Sequence, residues 1–119
     1  MRRAAPCRNV PVTFTLDRKS MPIDVQIHDE SGKALATYDG PPIGLPLLKL
    51  APVNGVCLRF VVPWSDATFN SEQLKELRAE LLQVIRTTED TQRVREAEAL
   101  LEFVSEAKGP HTYVKFIGD

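Results

Sequence analysis

Two runs of apolar residues with helical spacing lie between residues 70 and 109 and form the most regular part of the chain. The first run repeats an apolar residue every three or four positions: Leu74, Leu77, Leu81 and Ile85. This spacing, with charged residues at most of the remaining positions, predicts an amphipathic helix that buries one face. Asn70 and Gln73 stand three residues apart just before the run, which is the pattern of a capping box at a helix start.

A second helix is predicted directly after the first. Its apolar positions are Val94, Ala97, Leu101 and Val104. Glu89 and Asp90 precede it, and acidic residues stabilise a helix N-terminus through the helix macrodipole. Residues 108–110, Lys-Gly-Pro, end it with a cation, a left-handed cap and a helix breaker. Because the connection between the helices is short, we expect them to pack antiparallel as a helical hairpin spanning residues 70–109.

Alternating apolar and polar residues predict β-strands on both sides of this hairpin. The predicted strands are residues 12–16, 23–27, 33–38, 56–62 and 113–116, with a further extended run at 47–50. Gly32 suits the positive φ of a hairpin loop, and Asn54-Gly55 is the dipeptide typical of a two-residue hairpin turn. Four alternating apolar residues predict that the strand at 56–62 is central. Because two antiparallel helices separate it from the last strand, the last strand is expected to run antiparallel to it.

Together these elements predict an α+β fold. The expected architecture is a two-layer sandwich with a mostly antiparallel sheet of five to six strands, in the chain order β-β-β-β-β-α-α-β. The antiparallel helical hairpin packs on one face of that sheet. Residues 1–9 are predicted to form a flexible basic arm, and residues 10–119 a single domain.

Composition agrees with one globular domain and narrows its setting. The chain has 119 residues, of which 43% are hydrophobic and 26% charged, so it can bury a core without disulfides. Its net charge of −1 favours neither nucleic acid nor a basic partner through bulk electrostatics. Two cysteines do not make a disulfide framework, and no apolar run has the length of a membrane span. We therefore expect a cytoplasmic protein that does not bind membranes.

No pattern in the chain is typical of catalysis. His28-Asp29-Glu30 could suggest a metal site, but successive strand residues point to opposite faces and no second ligand group has suitable spacing. Cys57 and His111 could act as nucleophile and base only if the two strands that carry them were adjacent. No nucleotide-binding glycine loop is present. The sequence therefore predicts no cofactor and no metal, and leaves an enzyme using loop carboxylates such as Asp39 or Asp66 as the last alternative.

An acidic edge on the second helix is the first candidate for a binding surface. Glu98, Glu102 and Glu106 recur at four-residue intervals, so they line up along the helix. A charged edge of this kind can steer the approach of a basic partner. The other candidate contact residues are Trp64, Ile43 and Leu45. Tryptophan is favoured at interface hot spots, and the proline-rich loop at 39–46 has the length of a functional loop.

These surfaces favour a small non-enzymatic protein–protein interaction module, such as an adaptor, an inhibitor or an immunity-type protein. The expected partner is another protein, bound through the acidic edge of the second helix or a free sheet edge, and a homodimer is the related alternative. A nucleic-acid-binding domain is the second hypothesis, because cations around an aromatic ring on an open sheet can bind bases and phosphates. Its residues are Arg59, Tyr113 and Lys115 on the sheet with Arg2, Arg3 and Arg8 in the arm.

Overall fold

Four strands form one antiparallel sheet in the computed structural model, which describes residues 23–118. They are β1 (Asp24–His28), β2 (Ala34–Thr37), β3 (Ala67–Phe69) and β4 (Tyr113–Ile117). Their order across the sheet is β2-β1-β4-β3, and each neighbouring pair is antiparallel. The α+β class is confirmed, whereas the predicted five to six strands are not matched by the four found here. The predicted strand at 12–16 and the arm at 1–9 lie outside the described residues.

The sheet buries one face because its central strands alternate in polarity. Val25 and Ile27 of β1 lie beside Val114 and Phe116 of β4 in the core, in the register Val25 to Phe116 and Ile27 to Val114. Phe69 of β3 meets the Phe116 ring edge-on at 5.8 Å between ring centroids. The strands predicted at 23–27 and 113–116 are thus confirmed as β1 and β4. The predicted positive φ of Gly32, in the loop after β1, is also confirmed, with a value of 89°.

Two helices cover the buried face of the sheet, as the apolar spacing predicts. They are α2 (Ser71–Thr87) and α3 (Thr91–Ser105), and they pack against each other and the same core. The capping box at the start of α2 is present: Asn70 Oδ1 accepts from the Gln73 amide at 2.9 Å, and the Asn70 amide donates to Gln73 Oε1 at 2.8 Å. Asp90 caps α3 by accepting from the amide of Gln92 at 3.0 Å.

The segment predicted as the central strand, residues 56–62, is not a strand. Leu58–Phe60 form a single 3₁₀ turn, and the residues around it have no strand partner within the described chain. The burial does not alternate either, since Cys57 and Leu58 are both buried while Val56 and Phe60 are both exposed. The predicted central place in the sheet is taken instead by β1 and β4, which lie between β2 and β3.

Residues 45–55, which precede this segment, also differ from the prediction. The run at 47–50 belongs to a short helix, α1 (Leu45–Leu48), with a proline in its first turn, where a missing amide is tolerated. Asn54-Gly55 does not make a two-residue hairpin; the Gly55 amide instead donates to Pro52 O at 2.9 Å in a local turn. The hairpin prediction fails because a hairpin needs a strand on each side of its turn, and neither α1 nor residues 56–62 form a strand.

Tyr38 closes the core beside α3. Its ring meets the Phe103 ring edge-on at 5.5 Å between centroids, and its hydroxyl donates to Pro41 O at 2.7 Å. Burial, followed by the nearby charges of Glu96 and Asp39, raises the pKa of Tyr38 to about 12. The proline-rich loop is therefore fixed to the core by a hydroxyl that remains protonated at neutral pH.

Candidate protein-binding surface

One buried carboxylate holds the segment that does not form a strand. Glu80 of α2 is only 7% exposed and accepts three backbone hydrogen bonds from residues 56–58. Its Oε2 accepts from the amides of Val56 at 2.8 Å and Cys57 at 3.2 Å, and its Oε1 accepts from the amide of Leu58 at 2.8 Å. We call residues 52–64 the clamped segment, because this carboxylate fastens their middle to α2.

The clamp explains why the alternating pattern does not produce a strand. Buried backbone amides need acceptors, which in a strand are the carbonyl groups of a neighbouring strand. Here the Glu80 carboxylate takes that place and also faces the first turn of the 3₁₀ helix, where three amides lack a partner within the turn. Hydrogen bonds to a charged group contribute about 1.5–3 kcal/mol each, enough to offset the burial of one carboxylate.

Two neighbouring residues complete the clamp. A Cβ added at Gly55 would lie 2.9 Å from Cδ of Glu80, so only glycine lets the carboxylate reach the amides. Arg59 Nε donates to Gly55 O at 2.6 Å, and its guanidinium lies 4.4 Å from the centroid of the Phe60 ring. The 3₁₀ turn is thus fastened to the loop before it as well as to α2.

Most of the exposed side chains of the clamped segment are apolar. Four large ones are exposed: Val53 by 84%, Val56 by 55%, Phe60 by 54% and Trp64 by 66%. Exposed apolar side chains that lie this close together in sequence are typical of a surface that meets another molecule. A tryptophan exposed by two thirds is not covering the core, so Trp64 is available as a contact residue.

A groove of about 310 Å³ runs between the clamped segment and α2. Val53 and Val56 line one side, while Ala79 and the exposed carboxylate of Glu76 line the other. The buried carboxylate of Glu80 is occupied by the three amides, so the charge available at this groove is that of Glu76. Asn54 and Gln83 also line the groove, so it combines two valine side chains with polar groups and one exposed anionic group, which suits a cation of a partner.

The partner-binding residues predicted from sequence lie on three elements. Glu98 and Glu102 are exposed on α3, and Glu106 is exposed at its C-cap. Trp64 belongs to the clamped segment. Ile43 is fully buried and pairs with Ile23 through an isolated antiparallel bridge, while Leu45 is half-buried at the start of α1. Of the apolar candidates, only Trp64 presents most of its side chain to solvent.

Glu102→Lys is expected to raise the free energy of unfolding by about 0.5–1 kcal/mol. The change removes like-charge repulsion with Glu98 and Glu106 and supplies the last turn of α3 with the cation that it lacks. Urea unfolding measures the effect. Glu72→Lys is the matched control, because it breaks a 3.3 Å ion pair in the first turn of α2 and should change stability in the opposite direction. Equal effects of the two variants would contradict this explanation.

The open face of the sheet carries only part of the predicted nucleic-acid site. Tyr113 and Lys115 lie on it, but Arg59 lies in the 3₁₀ turn, so its predicted place on that face is wrong. Lys115 Nζ is 4.0 Å from Asp66 Oδ2, and the exposed Asp24 adds a further acid to the same face. The arginines at positions 2, 3 and 8 lie outside the described residues. Two acids therefore accompany one cation on this face, so it is not basic.

A shallow depression at one end of this face contains His28 and two acids, a combination that the enzyme hypothesis needs. Asp29 is a turn residue: its Oδ1 accepts from the Ser31 hydroxyl and from the amides of Lys33 and Ser31, and these hydrogen bonds lower its pKa. Glu30 instead pairs with His111 at 3.5 Å on the exposed surface. Within residues 23–118, no group of three or more His, Cys, Asp or Glu is placed to hold a metal ion.

Cys57 is expected to resist alkylation in the folded protein. It is fully buried, its thiol donates to Gln73 O at 3.3 Å, and burial, followed by the charges of Glu80 and Glu76, raises its pKa from 9.0 to about 11. Since the thiolate is the nucleophile, its reaction at pH 8 should be slower by on the order of 100-fold than in the unfolded chain.

Iodoacetamide labelling of a Cys7→Ser variant, with and without urea, measures this protection. Because the folded pKa is the higher one, the contribution of the neutral thiol to stability is complete below pH 9 and is lost as the pH rises through about 11. Labelling at the same rate in both conditions would show that residue 57 is not buried against α2.

A wider cleft of about 490 Å³ lies between the start of α2 and the end of α3. Lys75, Arg78 and Lys108 line it together with Glu72, which already pairs with Lys75. Three cations and one acid therefore line this cleft, whereas the groove beside the clamped segment is lined by two acids.

Comparison of the chain with protein-family models, with curated proteins and with solved structures gave no match. None of the helices in the described part of the chain is long and apolar enough to cross a membrane.

Glu80 and Gly55, which form the clamp, were not predicted as site residues from sequence. A signal was nevertheless present in the first helix. Glu80 lies three residues after Leu77 and four before Val84, so it occupies a position on the buried stripe where an apolar residue is expected. A charged residue there needs buried hydrogen-bond donors, and the nearby chain must supply them.

Proposed function

We propose that the protein is a small, non-enzymatic protein–protein interaction module that binds its partner through the clamped segment. One observation carries this proposal: four large apolar side chains are exposed on a stretch whose backbone is fixed by a buried carboxylate. An interface built on a fixed backbone loses little conformational entropy on binding, which favours affinity.

The composition of the surface supports the same function. Interfaces are centred on aromatic and aliphatic residues that become fully buried, and tryptophan and arginine are common among the residues that dominate the binding energy. The clamped segment offers Trp64, Phe60 and Arg59 within six residues of each other. No other part of the described chain exposes two large aromatic side chains so close together in sequence.

The acidic edge of α3 has a separate role in this proposal. Glu98, Glu102 and Glu106 are exposed and remain a row of like charges. Such a row acts at long range and increases the association rate of a basic partner more than it increases the affinity. Within the described sheet, the outer edge of β2 is the alternative surface, where a partner strand could pair in place of contact with the clamped segment. An adaptor, an inhibitor or an immunity-type protein would use surfaces of this kind.

Photo-crosslinking tests the proposal at single positions. Benzoylphenylalanine replaces Trp64 in one variant and Leu35 in a control variant, and both are expressed in the source cells and irradiated. Leu35 is a matched control because it is exposed by 57% on β2, away from the clamped segment. We expect a discrete crosslinked protein from position 64 and none from position 35.

Specific binding should also depend on the neighbouring apolar residue. Adding Phe60→Ser to the variant labelled at position 64 should abolish the crosslinked product, because the ring that supports the interface is lost. Equal products from positions 64 and 35, or no product from either, would contradict the proposed function.

A further inference from the structure

We propose that a second copy of this chain is a partner of the clamped segment, so that two protomers associate through it around a two-fold axis. The inference rests on the proposed function, since it names the partner of the same surface. In a two-fold dimer each protomer contributes the same surface, which must therefore complement itself. The clamped segment satisfies this condition in area and in charge.

The exposed apolar area agrees with what a dimer needs. The exposed parts of the two aromatic rings and two valines amount to on the order of 450 Å², given full areas of about 150–250 Å² for such side chains. A stable interface buries about 800 Å² per partner, of which roughly 60% is apolar. The four side chains would therefore supply nearly all the apolar part of one protomer's share.

One exposed cation and one exposed anion are available at this surface. Arg59 lies over the Phe60 ring and donates to Gly55 O, while Glu76 borders the groove lined by Val53 and Val56. Both are exposed. A two-fold axis through the apolar centre would bring Arg59 of each protomer towards Glu76 of its partner, making the same ion pair twice. With a net charge of −1, two copies also repel each other only weakly.

Sedimentation velocity across a concentration series provides the first test. We expect the wild-type chain to pass from monomer to dimer at micromolar concentrations. Phe60→Ser and Trp64→Ser should each raise the dissociation constant by roughly 30-fold or more, as removal of a central contact residue does. Leu35→Ser should leave it unchanged. A wild-type chain that remains monomeric at millimolar concentration, or equal weakening by all three variants, overturns the inference.

A charge exchange tests the two-fold geometry directly. In Arg59→Glu homodimers two acids would face each other, and in Glu76→Arg homodimers two cations would, so each variant alone should be mainly monomeric. Mixing the two variants should restore a dimer, because each acid at position 59 or 76 would then face an arginine. Circular dichroism establishes that both variants are folded. If the mixture remains monomeric while the wild type dimerises, the proposed pairing is wrong.

These outcomes are separable from failure of the proposed function. A wild-type chain that is monomeric, but that crosslinks to a different protein from position 64 only, overturns the dimer and leaves the interaction module in place. Absence of any crosslinked product from position 64 contradicts both.

Discussion

Glu80→Ala is expected to lower the free energy of unfolding by about 3–5 kcal/mol, the range observed when one partner of a buried charged interaction is removed. The substitution leaves the amides of Val56, Cys57 and Leu58 without their acceptor, and two of these residues are buried. A new acceptor would have to be water, which must enter between the clamped segment and α2. We expect this change to have the largest effect of any single side-chain replacement outside the apolar core.

Urea unfolding of three variants separates the role of the carboxylate from that of the helix position. Glu76→Ala is the control: it lies one turn earlier on α2, is exposed and should change stability by less than about 0.5 kcal/mol. Glu80→Gln keeps the size of the side chain but has one acceptor oxygen, so an intermediate loss is expected. A loss below about 1 kcal/mol for Glu80→Ala would show that the clamp contributes little to stability.

Gly118→Ala is expected to lower the free energy of unfolding by about 2–3 kcal/mol, an overpacking effect produced by a single methyl group. A Cβ at this position would lie 2.8 Å from Pro63 O and would collide with the backbone of Ser65. Backbone atoms cannot rotate away as a flexible side chain does. The end of β4 would have to separate from the turn that leads out of the clamped segment, breaking the 3.0 Å hydrogen bond from the Gly118 amide to Asp66 Oδ1.

The matched control for this variant is Asp66→Ala, which removes the hydrogen bond without adding an atom. It should lower stability by about 1 kcal/mol, so the excess loss in Gly118→Ala measures the steric effect. Thermal and urea unfolding give both values. Equal losses in the two variants would mean that the chain end moves aside freely and that residue 118 does not fix the turn at 63–65.

Helix periodicity and capping residues were sufficient to predict the helical hairpin. Leu74, Leu77 and Leu81 are separated by three or four residues, and the Asn70 capping box marks the start of the helix within one residue. These signals are local, since they depend on neighbours along the same helix. β1 and β4 were predictable for the same reason, because each alternates over its whole length and packs one face on the core.

The order of the strands in the sheet and the conformation of residues 56–62 were not predictable in this way. Alternation shows that a segment has an apolar side, but it does not show where its amides find acceptors. In this chain the acceptor lies 22 residues beyond Leu58, in the side chain of Glu80. The three-residue strand β3 was missed because it is too short to show a period. Both cases depend on contacts that are distant in sequence.

The candidate site was only partly predictable. Trp64 was identified because of its residue type, and the structure places it at an exposed position on the clamped segment. Its neighbours Val56 and Phe60 were assigned to the buried face of a strand, so their exposure was not foreseen. Ile43 was a candidate contact residue and is instead buried at an isolated bridge. These exposures depend on the clamp, whose acceptor Glu80 lies 22 residues beyond Leu58 in the chain.

Amide hydrogen exchange of Cys57 and Leu58, measured by NMR, tests most directly whether a buried carboxylate holds this segment in place. These amides have no strand partner in the described chain, so without the clamp they would exchange at nearly the rate of an open loop. We expect protection comparable to that of the buried part of α2, and its loss in Glu80→Ala under conditions where α2 stays protected. Rapid exchange of both amides in the wild-type protein would show that the carboxylate does not hold the segment.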